Sequence, residues 1–264
     1  MTVSTGGKTT QKKWLGNGKW GWFHRIFYHP GRVFSEMAEV ENQTWLKPML
    51  ILTIMVILLS LISGPARLNQ AQMNLSQPPD DFIYWSEEQQ TQFFESQAAM
   101  QGPLFIYIFP LLGSLAGLWL GWFILGSIMH LLMTFKGSRQ PQESYLNLVA
   151  WSALPFAVRS LVQIIAVLTT QRVIENPGLS GFIANVSGNW QILLQILLGL
   201  VDIYALGFLA LLILGAPHIS GLKNGKALWM AVLAVGIFIA LISLPQLLLK
   251  QLGGMGTIRP FFFF

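Results

Sequence analysis

The sequence predicts an all-α integral membrane protein, a five-helix transmembrane bundle preceded by an amphipathic interfacial segment. Hydrophobic residues make up 53% of the chain and charged residues only 10%, and the mean hydropathy is +0.54. About a quarter of the residues of a soluble domain are charged. The chain also contains five apolar runs, and about 20 apolar residues suffice to cross the hydrocarbon core. Together these observations exclude a soluble globular domain.

Composition divides the chain into four parts. Residues 1–19 are basic and rich in Gly, Ser, Thr and Lys, which is typical of a disordered tail. An amphipathic segment (20–44), a five-span membrane domain (45–250) and a C-terminal tail (251–264) follow. The predicted spans lie at about 48–66, 103–133, 145–170, 190–214 and 227–249. Between the first two spans, a serine followed by two glutamates predicts a short helix near 86–99.

The amphipathic segment at 20–44 combines aromatic side chains with cations. Trp22 and Phe27 alternate with His24 and Arg25, and apolar residues recur at helical spacing after Pro30. Aromatic rings and cations together favour a helix that lies in the headgroup region of a membrane. The alternative is that the same aromatic face packs on the protein itself.

One charge of each sign lies within the third and fourth predicted spans. Arg159 and Asp202 would each cost about 3 kcal/mol alone in the hydrocarbon. Because the two helices run antiparallel, both side chains reach a similar depth, about 20 Å from the same membrane surface. Gln163 follows Arg159 by one helical turn, and Gln191 and Gln195 lie near the face of Asp202. We expect these five residues to form a polar seam.

Two interpretations of this seam stay open. It is either a structural clamp between two helices or a site for the passage of an ion, a proton or a lipid headgroup. We favour the clamp, because a single compensated pair without further acids makes a poor relay.

Three glycines recur every four residues in the second span, at Gly113, Gly117 and Gly121. Such a stripe lets another helix approach closely. We favour a neighbour in the same chain, and the alternative is a homo-oligomer that forms through this stripe.

The sequence predicts no catalytic residue, no metal site and no cofactor. Cysteine is absent, which excludes disulfides and thiolate nucleophiles. The histidines have no ligand spacing on one helix, and there is no phosphate-binding glycine loop or nucleophile elbow; they are His24, His29, His130 and His218. We therefore expect a non-enzymatic protein whose partners are the lipid bilayer and another membrane protein, with no nucleic acid.

The distribution of cations predicts the orientation. Eleven Lys and Arg residues fall on the side of the N-terminal arm and four on the other side, and Arg159 lies between them. Cytosolic loops carry the excess of positive charge. We expect the N-terminus in the cytosol and the C-terminus outside.

Several short motifs now resemble a known family. They are HPGRVF at 29–34, WLKP at 45–48, KGS at 136–138 and GLKNGKA at 221–227, with Leu154-Pro155 inside the third span. In this order, over about residues 25 to 250, they resemble the Yip domain family of five-span membrane proteins, which is named for binding Ypt/Rab GTPases.

The resemblance implies a five-span membrane fold without assigned catalytic residues. Eukaryotic members act in vesicle traffic, and some bacterial members resemble accessory subunits beside ABC-type exporters. The aromatic, basic arm differs from the long acidic cytosolic region of eukaryotic members, so we expect a bacterial-type protein of the inner membrane. The leading hypothesis is a scaffold or accessory subunit of a membrane complex, such as an exporter or a trafficking assembly. The alternative is a small transporter or lipid-handling protein that uses the Arg159–Asp202 seam.

Overall fold

The computed structural model describes residues 21–39, 44–75, 81–173, 178–183 and 189–252. The predicted disordered tail at 1–19 lies outside the described residues, as does all but the first two residues of the tail at 251–264. The described part of the chain contains helices and turns but no strand.

The helices vary from two turns to eight. In chain order they are α1 (Trp22–Tyr28), α2 (Pro30–Ala38), α3 (Leu46–Ile62), α4 (Gly64–Leu75), α5 (Glu87–Met100), α6 (Phe109–Phe135), α7 (Gln142–Ser152), α8 (Leu154–Thr170), α9 (Asn189–Gly199), α10 (Ile203–Ser220) and α11 (Asn224–Leu252). A π-helical turn, Leu104–Ile108, precedes α6, and 3₁₀ turns occur at Phe82–Tyr84 and Gly178–Ile183.

Five stretches of the described chain are long and apolar enough to cross a membrane. They are Leu46–Met73, Leu104–Phe135, Gln142–Thr170, Ile203–Ser220 and Asn224–Ser243. The all-α membrane bundle predicted from the sequence is therefore confirmed. The predicted short helix near 86–99 is confirmed as α5, whose first turn is closed by a reciprocal capping box between Ser86 and Gln89.

The fourth predicted span, 190–214, is not one helix but two. α9 ends at Gly199, and α10 begins after Asp202 in a new direction set by the extended backbone of that residue. A 3₁₀ turn approaches the break from outside: Leu179 N–H donates to the carbonyl of Val201 at 3.2 Å. Gly178, at φ 62°, lies so close to these carbonyls that a Cβ there would be 2.8 Å from the oxygen of Val201. Only glycine tolerates both the positive φ and the close approach of these carbonyl oxygens.

The apolar face of the N-terminal hairpin, formed by α1 and α2, is buried in the protein. Ile26, Val33 and Phe34 are 0% exposed, and α2 packs on α10. For this face the structure agrees with the alternative, packing on the protein itself, and a position of the hairpin in the headgroup region stays a prediction. The pattern of an amphipathic helix indicates that one face will be covered, but not whether lipid or protein covers it.

The core that receives this hairpin is centred on α7. All eight residues from Tyr145 to Ser152 are buried, and Trp151 meets Trp22 and Phe23 with ring centroids 5.5 and 4.8 Å apart. A continuously buried helix is surrounded by protein on every side. We call this end of the bundle, where α1, α2, α7 and the last turns of α10 meet, the hairpin end.

The opposite end of the bundle contains α4, α5 and the π-helical turn. Pro110 lacks the N–H that would bond the carbonyl of Ile106 in a regular helix. The guanidinium of Arg67 donates to that carbonyl at 3.2 Å instead, and Gly64 lets the ring of Tyr107 lie against the backbone. The first span is thereby tied to the start of the second.

A buried ion pair at a helix break

The two opposite charges of the predicted seam meet directly. Arg159 lies on α8 and is only 8% exposed. Its Nε lies 3.1 Å from Oδ2 of Asp202, and the two side chains are 10% and 14% exposed. The other carboxylate oxygen, Oδ1, accepts a hydrogen bond of 2.7 Å from the backbone N–H of Ala205. One carboxylate therefore caps α10 and neutralises the arginine.

The helix break explains why an acid is placed here. Asp202 is the N-cap of α10, where the first backbone N–H groups lack helical partners and the helix dipole favours a negative charge. The prediction that Asp202 lies in the middle of a continuous helix is therefore wrong. Asp202 lies about 27 Å along the axis of α10 from its last residue, nearer to the opposite end than expected.

The geometry suits a clamp between α8 and α10. One carboxylate oxygen forms the ion pair with Arg159 on α8, and the other accepts a hydrogen bond from the backbone N–H of Ala205 on α10. A buried ion pair is tolerated when further hydrogen bonds satisfy its members, and removing one member leaves an uncompensated charge. The arrangement holds two helices together, and the two opposite charges compensate each other.

The three glutamines of the predicted seam lie on two helices, Gln163 on α8 with Arg159, and Gln191 and Gln195 on α9, and their part in the seam stays a prediction. Gln163 and Gln195 are half-buried and Gln191 is exposed. The prediction for Gln191 and Gln195 assumed an unbroken helical spacing of seven and eleven residues to Asp202. The break at 200–202 interrupts that spacing, and α9 packs against α11 and the 3₁₀ turn at Gly178–Ile183.

The glycine stripe of the second span faces neighbours in the same chain. Gly117 is buried and Gly113 half-buried, and a methyl group added at Gly121 would lie 3.4 Å from Cζ of Phe238 on α11. A tighter approach occurs outside the stripe, at Gly126, where an added Cβ would lie 3.4 Å from Cα of Leu146 and closer still to its side chain. Self-association through the stripe stays a prediction.

The four histidines are not arranged as metal ligands. His24 and His29 are exposed on the hairpin, and the ring of His130 lies 5.5 Å from the ring of Tyr145 at a tilt of 50°. His218 Nδ1 lies 3.0 Å from Oγ of Ser35. Among the described residues, no three His, Cys, Asp or Glu side chains converge as a metal site requires.

A set of buried polar contacts at the hairpin end was missed by the sequence analysis. Oδ1 of Asn147 accepts hydrogen bonds of 2.9 Å from the backbone N–H groups of both Thr44 and Trp45. Trp151 Nε1 donates to Oγ1 of Thr44 at 3.2 Å. The available signal was a single asparagine inside an apolar run, because such an amide needs partners when it is buried.

A second contact ties the end of α10 to the turn before α7. Ser138 Oγ donates to the carbonyl of Ser220 at 2.8 Å, and its only proton is then used. The hydroxyl of Tyr145, 2.7 Å away, must therefore donate to Ser138. These contacts connect the KGS turn at 136–138 to the end of the fourth span.

Comparison with known proteins bears on this architecture. A family model, the Yip1 domain, matches residues 25–244, which include all of α2, all five spans and the ion pair. No curated protein and no solved structure matches the chain. The family match covers most of the chain, and the chain therefore belongs to the Yip1 domain family of membrane proteins.

Proposed function

We propose that the protein is a non-enzymatic scaffold or accessory subunit of a membrane complex. The observation that carries the proposal is the closed ion pair: Arg159 and Asp202 satisfy one another and the N-terminus of α10. The charges of this pair thus serve the packing of the bundle. The proposal assigns no catalytic residue and no cofactor.

The surface best suited to a partner is the exposed rim of the N-terminal hairpin. Phe27 is 49% exposed and Tyr28 is 78% exposed, and they lie beside the exposed imidazoles of His24 and His29. Aromatic residues are enriched at protein interfaces. The glycine stripe is less suited, because Gly121 already contacts Phe238 within the chain.

The test is affinity purification of the full chain from native membranes in a mild detergent. Phe27→Ala/Tyr28→Ala should lose the co-purifying membrane protein. The matched control is Ile83→Ala/Tyr84→Ala, a pair 79% and 87% exposed at the opposite end, which should retain it. Recovery of the wild-type chain alone, or equal loss in both variants, would contradict the scaffold proposal.

We further propose a bacterial inner membrane as the location, with the N-terminus in the cytosol. The excess of cations on the side of the hairpin supports this orientation. Because the chain contains no cysteine, single substitutions report their own side. Arg139→Cys should react with a membrane-impermeant thiol reagent only after lysis of the cells, and Glu88→Cys should react in intact spheroplasts. The reverse pattern would invert the orientation.

The helix break favours one second candidate, a small transporter or lipid-handling protein. Broken spans whose half-helices begin at a charged group near a polar site are common in transporters. Single cysteines beside the ion pair, in the variants Ser160→Cys and Val201→Cys, would test for an aqueous path. Rapid modification of both from water would favour transport, and protection of both would favour the scaffold.

A further inference from the structure

A cleft of about 280 Å³ opens where the end of α6 meets the beginning of α11. Its lining is Lys136, Gly225, Lys226, Trp229 and Met230. Lys136 follows the last residue of the second span, and Lys226 lies in the first turn of the fifth span. The cleft therefore opens at one membrane surface, between two spans, at the hairpin end.

The polar side of the cleft is positively charged. Lys136 and Lys226 are exposed, and neither belongs to the ion pair Arg25–Glu36 or to the ion pair Arg159–Asp202. The first turn of α11 carries no acidic residue. Two ammonium groups that line one cleft favour an anionic group beside them.

The other side of the cleft is apolar and faces the bilayer. Trp229 is 68% exposed and Met230 is half-buried, and both lie within the fifth span. At Gly225 an added Cβ would meet nothing within 4 Å, so the backbone leaves the space open. An occupant must therefore carry a negative charge at one end and hydrocarbon at the other.

We propose that this cleft binds the phosphate-bearing headgroup of an anionic phospholipid. The two lysines hold the phosphate, and the glycerol and the first acyl carbons lie along Trp229. Tryptophan suits that position because its ring is apolar while its indole N–H reaches the headgroup region. Free phosphate would use the lysines but not the apolar wall.

The experiment uses the purified full chain, with bound lipid counted by native mass spectrometry. Phosphatidylglycerol, phosphatidylcholine and inorganic phosphate are each titrated. The wild-type protein should retain phosphatidylglycerol in preference to phosphatidylcholine. Lys136→Gln/Lys226→Gln should weaken that binding about tenfold or more, since each cation near a membrane surface contributes about 1 kcal/mol to anionic lipid binding. Lys136→Arg/Lys226→Arg should restore it.

The matched control is Arg139→Gln/Lys223→Gln, which removes the same charge from exposed neighbours that do not line the cleft. It should leave the binding within about twofold of wild type. Gly225→Leu fills the cleft without changing any charge and should also weaken binding. It tests the cleft independently if the lysine variant does not fold.

Three results would overturn the proposal. Equal loss in both double variants would indicate diffuse attraction by surface charge. Equal retention of the two phospholipids would indicate no headgroup recognition. Displacement of phosphatidylglycerol by millimolar inorganic phosphate would indicate a free-anion site.

Discussion

The two ends of the bundle are built differently. At the hairpin end, Phe34 and Tyr145 are 0% exposed. Buried hydrogen bonds that Asn147 accepts and Ser138 donates join separate segments. At the opposite end, α5 has no buried residue. Its aromatic cluster is held by ring contacts with centroids 5.4–5.7 Å apart; the members are Phe82, Trp85, Phe93 and Phe94.

This difference locates the rigid part of the molecule. Burial and satisfied backbone groups specify the hairpin end, so changes there should act on the whole fold. The opposite end is held by two separate polar contacts. They are the ion pair between α8 and α10 and the hydrogen bond from Arg67 to the π-helical turn. Changes elsewhere at that end should remain local.

The largest effect should follow from breaking the ion pair. Asp202→Asn keeps an oxygen that can cap α10 but leaves the guanidinium of Arg159 without a counter-charge. The expected loss is about 3–5 kcal/mol of unfolding free energy. Thermal unfolding in detergent, followed by size-exclusion chromatography, measures it.

The control for this prediction is the double variant Arg159→Gln/Asp202→Asn. Removing both charges should recover most of the lost stability, since neither charge is then buried alone. Independent, additive effects of the two substitutions would contradict the clamp.

A matched pair of phenylalanines compares the two ends directly. Phe34→Ala empties a fully buried site beside Gly215 and Leu148 and should cost about 3–5 kcal/mol. Phe94→Ala, at a side chain 49% exposed, should cost less than about 1 kcal/mol. Chemical denaturation of both variants in the same micelle checks the contrast. Similar losses would show that the two ends do not differ in rigidity.

The next effect concerns the buried amide of Asn147. Asn147→Leu leaves the N–H groups of Thr44 and Trp45 without an acceptor, at about 1–3 kcal/mol for the buried N–H of Thr44 and about 1 kcal/mol for the partly buried N–H of Trp45. We expect a loss of about 2–4 kcal/mol and faster hydrogen exchange at residues 44–45. Gln92→Leu on exposed α5 is the control and should change neither quantity. Unchanged exchange in Asn147→Leu would mean that water replaces the amide.

A smaller effect should follow from added volume at Gly215. A Cβ there would lie 2.8 Å from Cδ2 of Phe34, so Gly215→Ala must push the hairpin away, at about 1–3 kcal/mol. Gly236→Ala, where nothing lies within 4 Å, should be neutral or slightly stabilising because alanine favours a helix. Thermal unfolding of the two variants distinguishes close packing from a general intolerance of alanine.

The sequence predicted the helical class and the five apolar stretches because hydrophobicity along a chain is a local property. It also predicted a helix at α5, since the cap and the acids lie within four residues of each other. The break before α10 was missed, because the continuous apolar run from Trp190 to Leu214 conceals an N-cap. A run of apolar residues does not reveal where a helix changes direction.

The pairing of Arg159 with Asp202 followed from charge and depth, which are properties of the sequence. The remaining contacts of the hairpin end depend on tertiary packing. Thr44 and Asn147 are more than a hundred positions apart, and neither has a spacing pattern that indicates the other. Such contacts become evident only when the helices that carry them are placed side by side.

The smallest effect should be the pH dependence of the hairpin itself. Hydrogen bonds from Arg25 lower the pKa of Glu36 below its ordinary value of 4.5. Partial burial raises this pKa and so opposes the shift, and the hydrogen bond from the indole N–H of Trp22 lowers it further. Since the folded pKa is depressed, the stabilisation is present above pH 4.5 and is lost as the pH falls through the folded pKa. The pair is 37% and 43% exposed, so its contribution is at most about 1 kcal/mol.

Glu36→Gln should therefore unfold at a lower temperature than wild type at pH 7. The difference between the two unfolding temperatures should be smaller when both proteins are measured below pH 4.5. Glu88→Gln, on exposed α5, is the control and should show no such convergence. A gap that persists unchanged at low pH would mean that Glu36 acts through packing or its neutral hydrogen bonds. The hairpin would then be held by its buried face alone, and the contrast between the two ends would rest on burial without any contribution from surface charge.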